Sequence, residues 1–424
     1  MKSLLDKIFF RSNNLDFISQ NIKDISKHTP VKKIFNVINN YSLESEVRYV
    51  GGCIRKILNN EKVDDIDMAT NLEPKIVCDL FKKNNINFYE TGINFGTITA
   101  SIDNYKFEIT TLREDVSTDG RHAKVKFSKN WKQDASRRDF TINSIYSDAE
   151  GNLFDPFNGK KDLENGLINF IGDADKRIKE DYLRILRYIR FFLSYSKLPH
   201  NHQLIRKLKL NIEGVSKLSK ERLLDELKKL IKLDSLQKLS KDKISLDLIL
   251  MIFPELKNIK IFTKLNMAQK EIIKNSDFIF LMSLMVVDER DNTDYFLYKF
   301  NISKKNEKRI KLIDKFYKEK SNIKRFSEKN LNRIFYYDGK QGVLDILNFM
   351  IIKSKKIDND LLRLYKIYLN KSVPVMPIRA EELMMKHKIP EGKQLGVKLK
   401  LLEELWVDNN FQISDQQVES VIND

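Results

Sequence analysis

The sequence predicts a small α/β head followed by an all-helical region, because its pattern changes twice along the chain. Between about Val47 and Asp148 the apolar runs are short and glycine is dense, which is typical of strands joined by tight turns. After Pro156 apolar residues recur at the spacing of helices. We therefore expect five segments, a helical extension (1–45), the α/β head (46–148), a helical neck (149–230), a helical body (231–370) and a helical tail (371–424).

Alternation of apolar and polar residues predicts five strands in the head. They are expected at Arg48–Val50, Asp65–Met68, Thr97–Ile102, Lys106–Thr110 and Lys124–Phe127. Helical spacing predicts two helices between them, at Cys53–Leu58 and Pro74–Lys83. In the neck, Ser219 and Glu221 form an N-terminal signal for a helix whose apolar face begins at Leu223.

The composition is that of a basic protein with enough apolar residues for a large core. The chain has 424 residues, 42% of them hydrophobic, and carries 76 Lys and Arg against 59 Asp and Glu, a formal net charge of +17. Such an excess favours a polyanionic partner, with nucleic acid ahead of an anionic membrane. The alternative explanation of the charge is that this genome over-uses lysine, isoleucine and asparagine in general.

Cysteine content and hydropathy indicate the compartment. Two cysteines, Cys53 and Cys78, are too few for a disulfide framework or a zinc ribbon, which favours a reducing compartment. No apolar run approaches the roughly 20 residues of a membrane helix. The first ten residues carry charges and lack a small-residue cleavage site, unlike a secretory signal. We therefore expect a cytoplasmic protein that is not associated with a membrane.

The first candidate site is the turn VRYVGGCIR (residues 47–55), where a strand ends in two glycines and a helix follows. Backbone amides at Gly51 and Gly52, together with the Arg55 guanidinium, could bind an anion such as a nucleoside triphosphate. A Gly-Gly turn before a helix is more often only a tight connection, so both interpretations stay open.

The second candidate is DDIDMAT (residues 64–70). In a strand, Asp65 and Asp67 share one face while Ile66 and Met68 point into the core. Adjacent carboxylates repel unless a cation joins them, and oxygen ligands at this spacing suit Mg²⁺ bound to the phosphates of a substrate. A solvated acidic turn is the alternative.

A third carboxylate lies in YKFEITTLR (residues 105–113), where Phe107 and Ile109 alternate with Glu108. Glu108 is therefore expected on the polar face of a neighbouring strand. Three acids from two strands beside a glycine turn are the layout that a two-metal phosphoryl-transfer site requires. Glu108 or one of the paired aspartates could act as the general base. Glu108 could equally be an ordinary exposed residue of the strand.

The fourth candidate is DYLRILRYIR (residues 181–190), in which Asp181, Arg184, Arg187 and Arg190 recur every three residues. This spacing predicts one polar side of a helix, and the structural interpretation is an amphipathic helix with internal ion pairs. The functional interpretation is an Asp acceptor beside an Arg donor, which matches the base edges of cytosine and adenine and mismatches those of uracil and guanine. The remaining arginines would face phosphates.

These segments occur in one order along the chain. They are GGxxR (51–55), DxD (65–67), RRDFTIN (137–143), DPFNG (155–159), EDxxRxxR (180–187) and SKERL (219–223). In this order they resemble the motif series of the class II tRNA nucleotidyltransferases, a family that includes CCA-adding enzymes and bacterial poly(A) polymerases. The tail, with IPEG (389–392) and Trp406, is similar to that of the alphaproteobacterial CCA-adding type. The resemblance implies a polymerase-beta-like head with an elongated all-α neck, body and tail.

The resemblance also implies a role for each motif. Asp65 and Asp67 would bind catalytic Mg²⁺, and Gly52 and Arg55 would hold the triphosphate of the incoming nucleotide. The other implied nucleotide-binding residues are Arg138, Asp139 and Asn143 at the ribose-binding motif, and Asp181 and Arg184 as a protein template for the base, with Arg187 and Arg190 in support.

Two further features bear on the type of activity. Residues 113–124, with Asp119 and Arg121, match the flexible loop that family members need for the switch from C to A addition, and TGINFGT (91–97) resembles an element of the CCA type. One residue departs from the pattern. Lys56 stands where the first motif usually has Asp, and we expect it to add positive charge near the triphosphate.

The resemblance therefore implies an enzyme that adds C, C and A to tRNA 3′ ends from CTP and ATP, with Mg²⁺ and without a nucleic-acid template. Addition of poly(A) or of A alone by the same chemistry is the nearest alternative. A non-catalytic RNA-binding protein built on an inactive transferase fold is a more distant one, and only Lys56 favours it.

Overall fold

The computed structural model describes residues 18–118, 123–319, 323–354, 356 and 358–423. The chain divides into two compact units, Met1–Glu226 and Leu227–Asp424. The division lies close to the predicted end of the neck at residue 230. The other predicted boundaries, after residues 45, 148 and 370, stay predictions.

The first unit contains a mixed seven-stranded sheet. Its strands are β1 (Val47–Val50), β2 (Ile66–Thr70), β3 (Asn87–Gly92), β4 (Thr97–Ile102), β5 (Tyr105–Thr111), β8 (Tyr146–Ser147) and β9 (Leu153–Phe154). The spatial order is β3-β4-β5-β2-β1-β8-β9, in which β2 and β5 are parallel and the other neighbours antiparallel. Strands β6 (Arg113–Thr118) and β7 (Ala123–Phe127) form a separate antiparallel ribbon.

The five predicted strands are all present, with small shifts at their ends. Strands β3, β6, β8 and β9 were not predicted. The Asn, Glu, Asp and Gly residues of β3 and β6 are rare in strands, and β8 and β9 have only two residues each. In the expected flexible loop over residues 113–124, residues 113–118 form β6 and residues 123–124 belong to β7. The loop residues Asp119 and Arg121 lie outside the described residues.

Four helices pack with the sheet, α1 (residues 18–28), α2 (Lys32–Asn39), α3 (Gly52–Leu58) and α4 (Pro74–Lys83). Ile34 and Ile38 of α2 are fully buried in the same hydrophobic cluster as Phe81 of α4 and Phe107 of β5. Helices α1 and α2, which fall in the predicted helical extension 1–45, thus contribute to the core of the head. Their apolar faces account for this, since such a face must be buried.

The remaining helices of the first unit, together with the one that spans its end, are α5 (Trp131–Ser136), α6 (Gly159–Asn165), α7 (Ala174–Glu180), α8 (Leu183–Tyr195), α9 (His202–Leu210) and α10 (Lys220–Leu230). Helix α8 buries Leu186, Ile189 and Leu193 on the predicted apolar face. The hydroxyl of Ser219 accepts a hydrogen bond from the Arg222 N–H at the start of α10, as its position predicted.

In its described part, the second unit consists of helices and connections. The helices are α11 (Leu233–Lys241), α12 (Lys243–Ile252), α13 (Met267–Lys274), α14 (Phe278–Val286), α15 (Asn292–Phe300), α16 (Lys304–Lys318), α17 (Glu328–Tyr337), α18 (Gly339–Lys353), α19 (Asn359–Asn370), α20 (Ala380–His387), α21 (Lys393–Asp408) and α22 (Asp415–Asn423). Over the ranges that the structure covers, none of these helices has the length and apolar character of a membrane span.

Candidate active site

Strand β1 and helix α3 are joined by a turn that favours glycine. Gly51 has a φ of +68°, a conformation that side chains disfavour, and its N–H donates to the carbonyl of Ile145. A Cβ on Gly52 would lie 3.7 Å from Oδ2 of Asp67. The glycine pair therefore leaves space beside this carboxylate in which a ligand can approach the backbone.

The acidic residues lie on two adjoining strands. Asp67 and Glu108 are register partners in the parallel pair β2–β5, so Glu108 lies on a neighbouring strand as expected, and the structure adds the parallel pairing and the register. Strand β2 begins at Ile66, so Asp65 stands exposed one residue before it, and the prediction that Asp65 lies in the strand is wrong. Among the residues described, no three His, Cys, Asp or Glu side chains form a group that could hold a metal ion. The expected three-carboxylate site is therefore not formed by the protein alone.

Asp67 is partly buried among other charges. Burial raises the pKa of its carboxyl above the usual range, and the negative charges of Glu108 and Asp65 raise it further, while Arg138 and Arg55 act in the opposite direction. Glu108 and Asp65 are thus each close enough to repel the carboxylate of Asp67. A cation bound beside Asp67 would remove that repulsion.

Arg55 projects from α3 and is only 7% exposed. Its Nη1 donates to the side-chain oxygen of Asn143, and its buried Nε has no hydrogen-bond partner among the residues that the structure describes. Its Cζ lies 4.7 Å from the ring centroid of Phe191 and 5.3 Å from that of Tyr195. Because Asn143 is uncharged, it does not neutralise the Arg55 guanidinium, which can therefore attract an anionic ligand.

Asn143 links Arg55 to a buried carboxylate. Its Nδ2 donates to Oδ1 of Asp139 at 2.8 Å, and Oδ2 of Asp139 accepts from Nε of Arg187 at 2.6 Å. Burial alone would raise the pKa of Asp139, but the Arg187 charge and the hydrogen bond from Asn143 lower it to about 2. Asp139 therefore stays ionised. It links Arg187 of α8 to Asn143, which in turn binds Arg55 of α3.

Arg138 is held by a second buried acid, Asp134. This carboxylate accepts from Nη2 of Arg138 at 3.2 Å, from Nε of Arg137 at 2.8 Å and from the Tyr146 hydroxyl at 2.7 Å. Burial opposes its ionisation, yet the two arginine charges lower the pKa of Asp134 to about 2. Sequence reasoning missed Asp134, whose only signal is its position three and four residues before two arginines.

Asp181 does not belong to helix α8, contrary to the prediction. Its backbone is extended, with φ −154° and ψ 104°, at the junction of α7 and α8. Its Oδ1 accepts from the N–H of Leu183 at 3.1 Å, and its Oδ2 accepts from Nη2 of Arg222 at 2.8 Å. Arg222 stands in the SKERL motif on α10, yet no role was predicted for it.

Arg184 and Arg190 project from α8 and find their partners on other helices. Nη1 of Arg184 donates to Glu180 at 2.7 Å and to the carbonyl of Arg177 at 2.6 Å. Nε of Arg190 donates to the buried carboxylate of Glu226. These ion pairs fasten α8 to α7 and α10, so they are not internal to α8 as the structural interpretation expected.

Most of these side chains line one cavity of about 520 Å³. The predicted site residues in its wall are Gly51, Gly52, Arg55, Asp67, Arg138, Asp139, Asn143, Asp181, Arg184, Arg187 and Arg190. The lining residues that were not predicted are Arg113, Arg137, Leu183, Phe191 and Arg222. Asp65 and Glu108 are not part of the wall. Since eight arginines stand against three aspartates, the cavity is strongly cationic and suits a polyphosphate.

Lys56 follows Arg55 in the chain but does not line this cavity. Its Nζ donates to Oδ2 of Asp64 at 3.2 Å, across the loop that joins α3 to β2. The expectation that Lys56 adds charge at the triphosphate is therefore wrong. Its charge is paired with Asp64 outside the cavity.

Nucleoside triphosphates react with hydroxyl groups where carboxylates meet a cationic, phosphate-sized space. In this chain Asp67 and the glycine turn line the cationic cavity, and Glu108 lies beside Asp67 on the adjoining strand. The fold and the site together define a nucleotidyltransferase.

Comparison with known proteins specifies the class further. Residues 47–169 match the family model of the poly A polymerase head domain. The chain is 33% identical over 392 residues to the mouse (Mus musculus) mitochondrial CCA tRNA nucleotidyltransferase 1, with 89% of this chain and 86% of that protein covered. It is 30% identical over 318 residues to the CCA-adding enzyme of Staphylococcus haemolyticus, with 74% and 75% covered. This chain belongs to the family of CCA tRNA nucleotidyltransferases.

A solved structure of this kind supports the fold. The Bacillus stearothermophilus CCA-adding enzyme in complex with CTP matches with a TM-score of 0.67 at 19% identity, over 93% of this chain and 97% of that one. The small head sheet followed by many helices is therefore confirmed. That the tail is of the alphaproteobacterial type stays a prediction.

Proposed function

We propose that this chain completes tRNA 3′ ends, adding C, C and A from CTP and ATP by nucleotidyl transfer without a nucleic-acid template. The observation that carries the proposal is the composition of one cavity wall. It combines arginines able to bind a triphosphate, Arg55 and Arg187, with a donor–acceptor pair able to read a base, Arg184 and Asp181.

Asp181 and Arg184 supply the complementary groups that base selection requires. Within the described part of the chain, each Asp181 oxygen accepts one hydrogen bond, which leaves a further lone pair for an exocyclic amine. Arg184 can donate to the ring nitrogen beside that amine. Cytosine and adenine share this pattern, whereas uracil and guanine present the reverse. One site can therefore select both CTP and ATP.

The phosphates are assigned to the arginines around the glycine turn. Arg55 contributes a buried guanidinium with an uncharged partner. Arg187 is held in place by the ionised carboxylate of Asp139. Arg138, in the predicted ribose-binding motif, is held in the same way by Asp134. Charge-assisted hydrogen bonds from such fixed guanidinium groups would orient the triphosphate for in-line attack.

Asp65 and Asp67 fit a Mg²⁺ ion shared with the substrate. Mg²⁺ is commonly held by one or two carboxylates together with phosphates and water, so a closed protein cage is not required. Burial and then the charges of Glu108 and Asp65 raise the pKa of Asp67, so two further carboxylates act on the position where the cation would bind. When bound there, Mg²⁺ would stabilise the charge that develops on the phosphate oxygens.

The terminal ribose hydroxyl of the tRNA attacks the α-phosphate, and pyrophosphate leaves. The new bond joins the ribose oxygen to the α-phosphorus. The bond between the α-phosphorus and the oxygen that bridges it to the β-phosphate breaks. Glu108, exposed on β5 opposite Asp67, is the candidate that accepts the hydroxyl proton, with Asp65 and Asp67 as the alternatives.

The basic chain, with its net charge of +17, suits a tRNA partner, whose binding should weaken as salt increases. We assign the reaction to the cytoplasm, on the support that Cys53 and Cys78 are both free thiols. The mouse relative is mitochondrial by name, so the family alone does not define the compartment.

The proposal is tested with full-length protein and tRNA that lacks its 3′ CCA. Labelled CTP and ATP are supplied singly and together, and products are separated at single-nucleotide resolution. We expect two additions with CTP and a third only when ATP is also present. A long ladder with ATP alone would assign the chain to poly(A) addition. Binding of tRNA without any incorporation would identify a non-catalytic RNA-binding protein.

A further inference from the structure

Arg177 lies on α7, outside the motifs described above, and does not line the cavity. Its guanidinium nevertheless reaches the segment that carries the predicted ribose-binding residues. Nη2 donates to the main-chain carbonyl of Arg138 at 2.5 Å and also to that of Arg137. The side chain of Arg177 is 12% exposed. These contacts join α7 to a turn about forty residues earlier in the chain.

The same residue also contacts the base-reading side of the site. Nη1 of Arg177 donates to the carboxylate of Glu180, and Oε2 of Glu180 accepts from Nη1 of Arg184 at 2.7 Å. The main-chain carbonyl of Arg177 accepts from the same Nη1 of Arg184 at 2.6 Å. Both hydrogens of that nitrogen are thus bound within the protein. The N–H groups on Nε and Nη2 are then those through which Arg184 can reach a base.

We propose that Arg177 is a positioning residue that sets the place of Arg184 relative to the ribose-binding segment 137–143, and so determines how strictly the base is selected. The inference rests on the proposed function, in which Arg184 reads the base. A guanidinium is suited to this role because its planar fork donates to several acceptors in fixed directions. Discrimination through hydrogen bonds depends on their alignment, so a small displacement of Arg184 would weaken it.

The test compares Arg177→Met with Arg177→Lys and with Arg206→Met, a control at an exposed arginine on α9. For each protein, kcat and KM are measured for CTP and for UTP on tRNA that lacks its 3′ CCA, well below the melting temperature. We expect Arg177→Met to lower the preference for CTP over UTP about tenfold, chiefly through a higher KM for CTP. Arg177→Lys should recover part of the preference, since an ammonium still donates to the carbonyls. Arg206→Met should match the wild type.

Wild-type preference in Arg177→Met, or equal losses with CTP and UTP, would overturn the inference, because a purely structural role lowers all rates together. If Arg177→Met does not fold, Arg177→Lys decides, and an unchanged CTP preference in that variant would overturn the inference. Calorimetric titration with CTP and with UTP, in the absence of tRNA, tests the role of Arg177 separately from the proposed function. A wild-type protein that binds CTP over UTP without incorporating it would refute the proposed function, and the change in that preference would still test Arg177.

Discussion

Asp181 and Arg222 form an ion pair in the wall of the cavity, with 2.8 Å between Oδ2 and Nη2. The pair joins the α7–α8 junction to α10 and keeps the Asp181 carboxylate beside a permanent positive charge. A carboxylate in such a pair is held in a fixed orientation. Arg222 is therefore expected to act through Asp181 on nucleotide binding.

Replacement of Arg222 by Gln should raise the KM for both CTP and ATP about tenfold, because a charge-assisted hydrogen bond to Asp181 is lost. The value of kcat should change less. Arg184→Ala serves as the comparison, since it should relax base choice and let UTP or GTP enter. Steady-state incorporation with each of the four nucleotides measures both effects, and an unchanged KM in Arg222→Gln would contradict the assigned role.

Asp67→Asn should lower nucleotide addition by at least about a hundredfold, because the site loses an anionic ligand that suits a cation at the reacting phosphate. Binding of tRNA should persist, since the substitution removes one carboxylate from the cavity wall and leaves the basic residues of the chain unchanged. Addition rates and filter binding of tRNA are compared with those of Asp79→Asn, a control at an exposed residue of α4. Addition at the wild-type rate by Asp67→Asn would refute the metal assignment.

The two glycines of the turn should respond differently to alanine. Gly52→Ala places a Cβ 3.7 Å from Oδ2 of Asp67 and should raise the KM for nucleotides while the fold stays stable, because Gly52 begins a helix that alanine favours. Gly51→Ala should lower the free energy of unfolding by about 1 kcal/mol, since its φ of +68° strains any side chain. Denaturant unfolding and nucleotide titration separate the two, and equal effects in both variants would contradict this account of the turn.

Lys56→Ala should keep nucleotide addition within about threefold of the wild type, and its effect on stability should be below about 1 kcal/mol, because partly exposed ion pairs contribute little. The structural reason is that Lys56 pairs with Asp64 outside the cavity. Asp64→Asn is the matched change at its partner. A collapse of activity in Lys56→Ala alone would show that the lysine acts on the nucleotide after all.

Stability should fall in acid because of two buried aspartates. The pKa values of Asp134 and Asp139 are both lowered to about 2 in the folded protein, from an ordinary value of 3.8. A lowered pKa contributes stability that is complete above the ordinary pKa and disappears as the pH falls through the folded value. The melting temperature should therefore decline between about pH 4 and pH 2.

Asp139→Asn tests this, because it removes one of the two contributions. The variant should be less stable than the wild type near pH 7 and should show a shallower decline in acid, when both are followed by thermal unfolding in circular dichroism. Asp79→Asn, which changes an exposed carboxylate, should follow the wild-type curve. An acid profile of Asp139→Asn parallel to that of the wild type would show that this carboxyl is not the source.

Much of the fold and of the candidate site follows from local pattern. Alternation over residues 105–111 and 66–70 predicts that Asp67 and Glu108 each lie on the polar face of a strand, since side chains alternate in any strand. The register that sets them side by side is a tertiary contact and was not predicted. The spacing of Gly51, Gly52 and Arg55 requires only one strand, one turn and one helix. Such arrangements depend on neighbours in sequence and so are readable from it.

Local patterns along the chain are enough to predict the fold class, the family and most of the residues that line the cavity. Ion pairs between residues three or four positions apart, such as Asp134 with Arg138 and Glu180 with Arg184, lie within reach of the same reasoning, although Asp134 was missed. Ion pairs between distant segments do not, and Arg190 with Glu226 and Arg222 with Asp181 are examples. They depend on how helices and strands pack, and no spacing along the chain encodes a distance between segments that meet only in the folded protein.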